Sequence, residues 1–66
     1  MFTITELKSI IKDALNDYRM AKAMNDENTI QQTINEMENV YIMVCNRSVP
    51  GSDMLRKTIL EAKERG

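Results

Sequence analysis

Two segments of the chain space their apolar residues three and four positions apart, and neither segment contains Gly or Pro. In the first segment these positions are Ile4, Leu7, Ile11, Ala14, Tyr18 and Ala21, with Leu15 beside them. In the second they are Ile30, Ile34, Met37, Tyr41 and Val44. Because an α-helix turns once every 3.6 residues, this spacing puts each set on one side of a helix. The pattern predicts two amphipathic helices, over residues 4–24 and 29–45.

Polar residues mark the ends of these two helices. Thr3 and Glu6 have the spacing of a capping box, in which each side chain accepts a hydrogen bond from the other residue's free backbone N–H. The polar run over residues 25–28 predicts a short turn, with Asp26 or Asn28 capping the second helix. Two amphipathic helices joined by such a turn are expected to pack as an antiparallel hairpin.

A shorter third helix is expected after the hairpin. Residues 46–52 hold the only Pro and one of the two Gly residues, which predicts a turn. Ser52 and Asp53 are suitable caps for a helix over 53–64. Its apolar face consists of Leu55, Ile59 and Ala62. We therefore predict an all-α fold in which residues 1–66 form a single domain, a small three-helix bundle.

The composition argues against most catalytic and metal-binding chemistry. The chain has no His, which removes the usual general base and the commonest metal ligand. Its one Cys, Cys45, lies in an apolar run and is expected to be a buried, unreactive core residue. Asp13 and Asp17 share a helical face, but Lys12 and Lys22 nearby favour a solvated surface over a cation site. We expect a non-enzymatic protein with no cofactor, no metal and no small-molecule substrate.

Cysteine usage and charge bear on the compartment and on the helix order. A single Cys suits a reducing compartment, and the charged residues within 1–15 are typical of neither a signal peptide nor a membrane span. We expect a cytoplasmic protein with no membrane partner. Ile, Lys and Asn make up 18 of the 66 residues, a composition that suggests a bacterial or phage origin. Residues 25–45 carry four acidic and no basic groups, which favours packing this helix between its more basic neighbours.

The second helix carries more apolar surface than its seam needs. Ile42 and Met43 lie roughly 120° and 140° from that seam, on opposite sides of the helix. The run over residues 40–45 is therefore apolar all the way round, which is typical of a helix turn that is buried on every side.

Met20 and Met24 lie off the seam of the first helix, and Leu60 lies off the seam of the third. Two interpretations of this surplus surface stay open. In one, the third helix folds back and covers Ile42 or Met43. In the other, the surface contacts a second copy or another protein, since so short a chain has a marginal core and Met suits adaptable binding surfaces.

The leading hypothesis is a small regulator, adaptor or inhibitor that binds a protein partner or itself through helices, and we expect the bundle to be a homodimer. Its partner surface would consist of Ile42, Met43, Met20, Met24 and Leu60. The alternative is a small nucleic-acid-associated regulatory protein. Its contacts would be the basic residues Arg47, Arg56, Lys57, Lys63 and Arg65. This alternative is less favoured, because the helix before them is acidic and no aromatic residues interleave with them.

Overall fold

The computed structural model describes residues 2–65, and all regular structure within them is helical. The helices are α1 (Ile4–Met24), α2 (Glu27–Val44) and α3 (Ser52–Arg65). All three pack together, and α2 contacts α3 more extensively than α1 does. The all-α, three-helix prediction is confirmed. α1 has the predicted bounds. α2 begins two residues earlier than predicted and ends one residue earlier than predicted.

The capping box predicted at the start of α1 is present. The Glu6 N–H donates to Thr3 Oγ1 at 3.1 Å, and the Thr3 N–H donates to Glu6 Oε1 at 3.1 Å. At the other end, Asn25 adopts the left-handed conformation with φ 56°. Asn tolerates this conformation better than most residues, so it ends the helix at low cost.

Asp26 caps α2, so the helix starts at Glu27 rather than at residue 29. Its Oδ1 accepts from the N–H groups of Asn28 and Thr29 at 3.2 and 3.4 Å, and its Oδ2 accepts from the Thr29 hydroxyl at 2.9 Å. The Thr29 hydroxyl and then the Thr29 N–H are the main causes that lower the pKa of Asp26. The turn between α1 and α2 is therefore only two residues long.

The turn before α3 depends on Gly51, whose φ of 97° strains any residue with a side chain. Ser52 and Asp53, which we predicted as caps, lie inside α3 instead. The Ser52 hydroxyl donates to the Val49 carbonyl at 2.9 Å, and Val49 itself is buried. The helix therefore starts one residue before the predicted range, and it runs one residue past it.

The core draws on all three helices and on the turn before α3. Its buried apolar members are Leu7, Ile11, Ala14, Tyr18, Ala21, Ile34, Met37, Val40, Val44, Val49, Leu55, Ile59 and Ala62. The three predicted seams supply most of this set. Ile4 is exposed although the pattern places it on the seam, and Ile30 and Tyr41 are half-buried. Over the described residues, no helix combines the length and the apolarity needed to cross a membrane.

Candidate interaction surface

α3 covers neither of the two surplus apolar residues on α2. Ile42 is 68% exposed and Met43 is 41% exposed. Of the run over residues 40–45, only Val40 and Val44 are buried. The prediction that this turn is buried on every side is therefore wrong. The reason is geometric, because α1 and α3 cover two flanks of α2 and leave the rest of its circumference facing solvent.

Cys45 is exposed, so the prediction that it is a buried core residue is wrong as well. It is the C-cap of α2, one residue beyond the last helical position. Its Sγ–H donates to the Ile42 carbonyl at 3.4 Å, which places the thiol one helical turn from Ile42. An apolar sequence context predicted burial, but the end of the helix lies outside the helix interfaces.

A groove of about 250 Å³ runs between α2 and α3. Its lining residues are Glu38, Tyr41, Ile42, Arg56, Ile59, Leu60 and Lys63. Ile59 is buried and Tyr41 is half-buried, whereas Leu60 is 52% exposed. The fold thus brings two predicted surface residues, Ile42 and Leu60, to one groove from two different helices.

The two ends of this groove differ in charge. Lys63 Nζ lies 3.0 Å from Glu38 Oε2, so α3 is joined to α2 there. Arg56 lies seven residues earlier on α3, which corresponds to about 10 Å along the helix. Among the side chains that the structure describes, Lys63 and Glu38 form the only ion pair. Arg56 therefore lines the groove without an ion pair to any carboxylate of this part of the chain, although Asp53 lies one turn before it on α3.

Met20 and Met24 form a second exposed surface on α1, and their side chains are 64% and 67% exposed. They share an arc of about 60° with Asp13 and Asp17, as the helical repeat requires. The pKa of Glu36 on α2 is raised, chiefly by burial. Charge repulsion from Asp17, a hydrogen bond with Asp17 and weaker repulsion from Asp13 raise it further. This exposed flank of α1, beside Glu36 of α2, is therefore acidic in its middle and apolar toward its end.

Met43 lies in neither of these two surfaces. It follows Ile42 directly and so projects about 100° away from it. Met54 is not among the predicted surface residues, but it is exposed and lies between α1 and α3 with Leu15 and Arg19. Met54 is about 110° from the α3 seam, so helical periodicity predicts its exposure as it does that of Leu60.

The described basic residues of the nucleic-acid hypothesis have different surroundings. Arg47 Nη1 donates to the Phe2 carbonyl at 3.1 Å, and Lys63 is paired with Glu38. Arg56 faces the groove, while Lys57 follows it at about 100° around α3. The side chain of Arg65 lies outside the described part of the structure. Arg56 and Lys63 line one groove together, whereas Lys57 and Arg47 are not among its lining residues.

A larger depression of about 580 Å³ lies at the end of the bundle where α1 meets α2. Its lining residues are Tyr18, Lys22, Asn25, Glu27, Ile30, Gln31, Ile34 and Ala62. None of them is an exposed large apolar side chain, so a ligand there would bury little new apolar surface. Within residues 2–65, no three His, Cys, Asp or Glu side chains are placed to hold a metal ion.

No protein-family model, curated protein or solved structure matches this chain.

Proposed function

We propose that this chain is a non-enzymatic protein-interaction module, a regulator, adaptor or inhibitor, that binds a helix in the α2–α3 groove. The observation that carries the proposal is the exposure of Ile42 and Leu60 at one groove with an apolar floor. Fully burying one such side chain is worth roughly 1.5–3 kcal/mol. Because Ile42 is 68% exposed and Leu60 is 52% exposed, covering both gains only part of this energy. A partner must therefore also contact the residues around them to offset the cost of association.

The shape of the groove favours a helix as the occupant. We propose that α1 and α2 form an antiparallel hairpin and that α3 lies alongside α2. The two helices α2 and α3 then each supply one row of side chains to the groove. The groove-lining pairs Glu38 and Ile42, and Arg56 and Leu60, are each four residues apart. An amphipathic helix binds such a groove through residues spaced by three, four and seven positions. We propose this mode of binding for a cytoplasmic protein partner, for self-association, or for both.

The lone cysteine provides a direct test. A benzophenone attached to Cys45 sits one turn from Ile42 and crosslinks whatever occupies the groove when it is irradiated in an extract of the source cells. We expect a discrete adduct with the wild-type chain. The adduct should disappear with Ile42→Asp/Leu60→Asp and persist with Met54→Asp, which removes an exposed apolar residue outside the groove.

Circular dichroism must first show that both variants remain helical. If the folded double variant forms the same adducts as wild type, the groove is not the binding surface and the proposal is wrong. Adducts that form with wild type and with Met54→Asp, but not with the double variant, support the proposal.

A further inference from the structure

The α2–α3 groove specifies the chemistry of the helix it can hold. Arg56, Leu60 and Lys63 lie at positions i, i+4 and i+7 of α3 and all line the groove. Lys63 already has a carboxylate partner in Glu38, but Arg56 has none among the described side chains. A complementary helix therefore carries one carboxylate beside Arg56 and apolar residues over the following two turns, a length of about 10 Å.

The exposed flank of α1 that carries Met20 and Met24 has this chemistry and this spacing. Asp17, Met20 and Met24 lie at i, i+3 and i+7, which also spans about 10 Å of helix. All three side chains are exposed. α1 buries a different side against α2 and α3, centred about 110° around the helix from this face, and Asp17 lies beside Glu36 of α2. Because the buried side holds α1 in place, this face is not available to the groove of its own chain. It is available to the groove of another chain.

We propose that the α2–α3 groove of one copy binds the α1 face formed by Asp17, Met20 and Met24 of a second copy, with Asp17 opposite Arg56. This inference rests on the proposed function, since it names the occupant of the same groove. The contact joins two different surfaces, so each bound chain keeps one free groove or one free α1 face. Such heterologous contacts extend beyond a dimer unless the assembly closes into a ring.

Charge favours this pairing over a symmetric contact between two grooves. Each groove carries two cations, Arg56 and Lys63, and one carboxylate, Glu38. Two grooves facing each other would bring like net charges together. The α1 face instead presents Asp17, with Asp13 one turn away, to the cationic groove, and opposite charges across an interface also select the correct partner.

The expected contact is weak. It covers about two helical turns on each chain, which places it below the roughly 1,200 Å² of a stable interface. We therefore expect association to become visible between about 10 µM and about 1 mM, the range of weak contacts. Sedimentation equilibrium over this range should give a mean mass that rises with concentration above the 7.6 kDa of the monomer.

Two blocking variants test the head-to-tail geometry. Ile42→Asp/Leu60→Asp blocks the groove, and Met20→Gln/Met24→Gln blocks the α1 face with a neutral side chain that favours helix. Each variant alone is expected to stay monomeric. An equimolar mixture is expected to form a dimer and nothing larger, because one intact groove meets one intact α1 face.

A charge exchange tests the predicted pair of residues. Arg56→Asp and Asp17→Arg should each weaken association about tenfold, as expected for loss of a charge-assisted contact worth about 1.4 kcal/mol. The double variant carrying both changes should recover it. Lys57→Asp makes the same change of charge on α3 outside the groove and should leave association within about twofold of wild type.

Three results would overturn the inference: a wild-type chain that stays monomeric up to about 1 mM, an α1-face variant that associates like wild type, or a mixture of the two blocking variants that stays monomeric. The benzophenone experiment separates this failure from that of the proposed function. A monomeric wild type that still forms an Ile42-dependent adduct with another protein overturns only the second copy as occupant. Loss of both signals overturns the groove as a binding site.

Discussion

Lys63 on α3 and Glu38 on α2 form an ion pair at one end of the groove, with Nζ 3.0 Å from Oε2. Both side chains are substantially exposed, so solvent screens the interaction between them. The pair aligns the two helices beside the groove, whereas the buried residues of α3, above all Leu55, hold that helix in place.

Removing this ion pair should have little effect on stability. Lys63→Met is expected to change the free energy of unfolding by less than about 1 kcal/mol, because exposed ion pairs contribute little. Urea unfolding of wild type and Lys63→Met should show a difference in the free energy of unfolding that becomes smaller as the salt concentration is raised from about 0.05 M to about 1 M. A loss of more than about 2 kcal/mol, or one that persists in high salt, would contradict this view of the pair.

Two leucines on α3 make a matched test of what holds the helix. Leu55 is fully buried, and Leu55→Ala should lower the free energy of unfolding by about 2–5 kcal/mol. That is enough to unfold much of a marginally stable chain. Leu60→Ala removes the same atoms from an exposed site and should stay within about 0.5 kcal/mol of wild type. If thermal unfolding shows equal losses of stability for Leu55→Ala and Leu60→Ala, then α3 does not pack with Leu55 buried and Leu60 exposed.

The capping box at the start of α1 should contribute measurably to stability. Thr3→Ala removes the oxygen that accepts from the Glu6 N–H and should cost about 1 kcal/mol. Thr3→Ser keeps an acceptor at the same position and should retain most of that stability. Urea unfolding of the three proteins decides the point, since equal stability of the Ala and Ser variants would mean that this cap contributes nothing.

Glu36 should make the protein more stable as the pH falls below neutral. Its pKa is raised in the folded state, chiefly by burial and then by Asp17, so the native chain binds a proton more readily than the unfolded chain. The free energy of unfolding therefore rises as the pH falls through the folded-state pKa, and this gain levels off below the unfolded value. Glu36→Gln should stabilise the protein at pH 7 by on the order of a few tenths of a kcal/mol.

A direct titration of Glu36 by nuclear magnetic resonance provides the control for this prediction. In Asp17→Asn the pKa of Glu36 should fall, because the neighbouring negative charge is gone. If the pKa of Glu36 is the same in the variant and the wild type, Asp17 does not lie beside it.

Cys45 should react fully with a thiol reagent in the native protein, because its side chain is exposed. The matched control moves the only thiol by one residue, in Val44→Cys/Cys45→Ser. Position 44 is fully buried, so its thiol should react only when the chain opens. Dithionitrobenzoate kinetics with and without denaturant make the comparison. Protection of Cys45 in the native chain would restore the prediction of burial that the structure contradicts.

The helices and most of their buried faces can be predicted from the amino-acid sequence alone. Helical periodicity is a local property, so the spacing of Leu7, Ile11, Ala14 and Tyr18 was sufficient to identify the buried side of α1. The capping box was equally local, because its two residues are three positions apart. The start of α2 was misplaced by two residues because two capping residues were available and the choice of Asp26 decides it.

In contrast, the packing of the helices sets which apolar residues remain exposed and which of them lie together. Angles around a helix give the direction of Ile42, Leu60 and Arg56, but they do not show which neighbouring helix covers that direction. The position of α3 leaves Ile42 exposed and places it at one groove with Leu60 and Arg56. Cys45 was misjudged for the same reason. Burial depends on what packs against a residue, and that is set by contacts between segments distant in the chain.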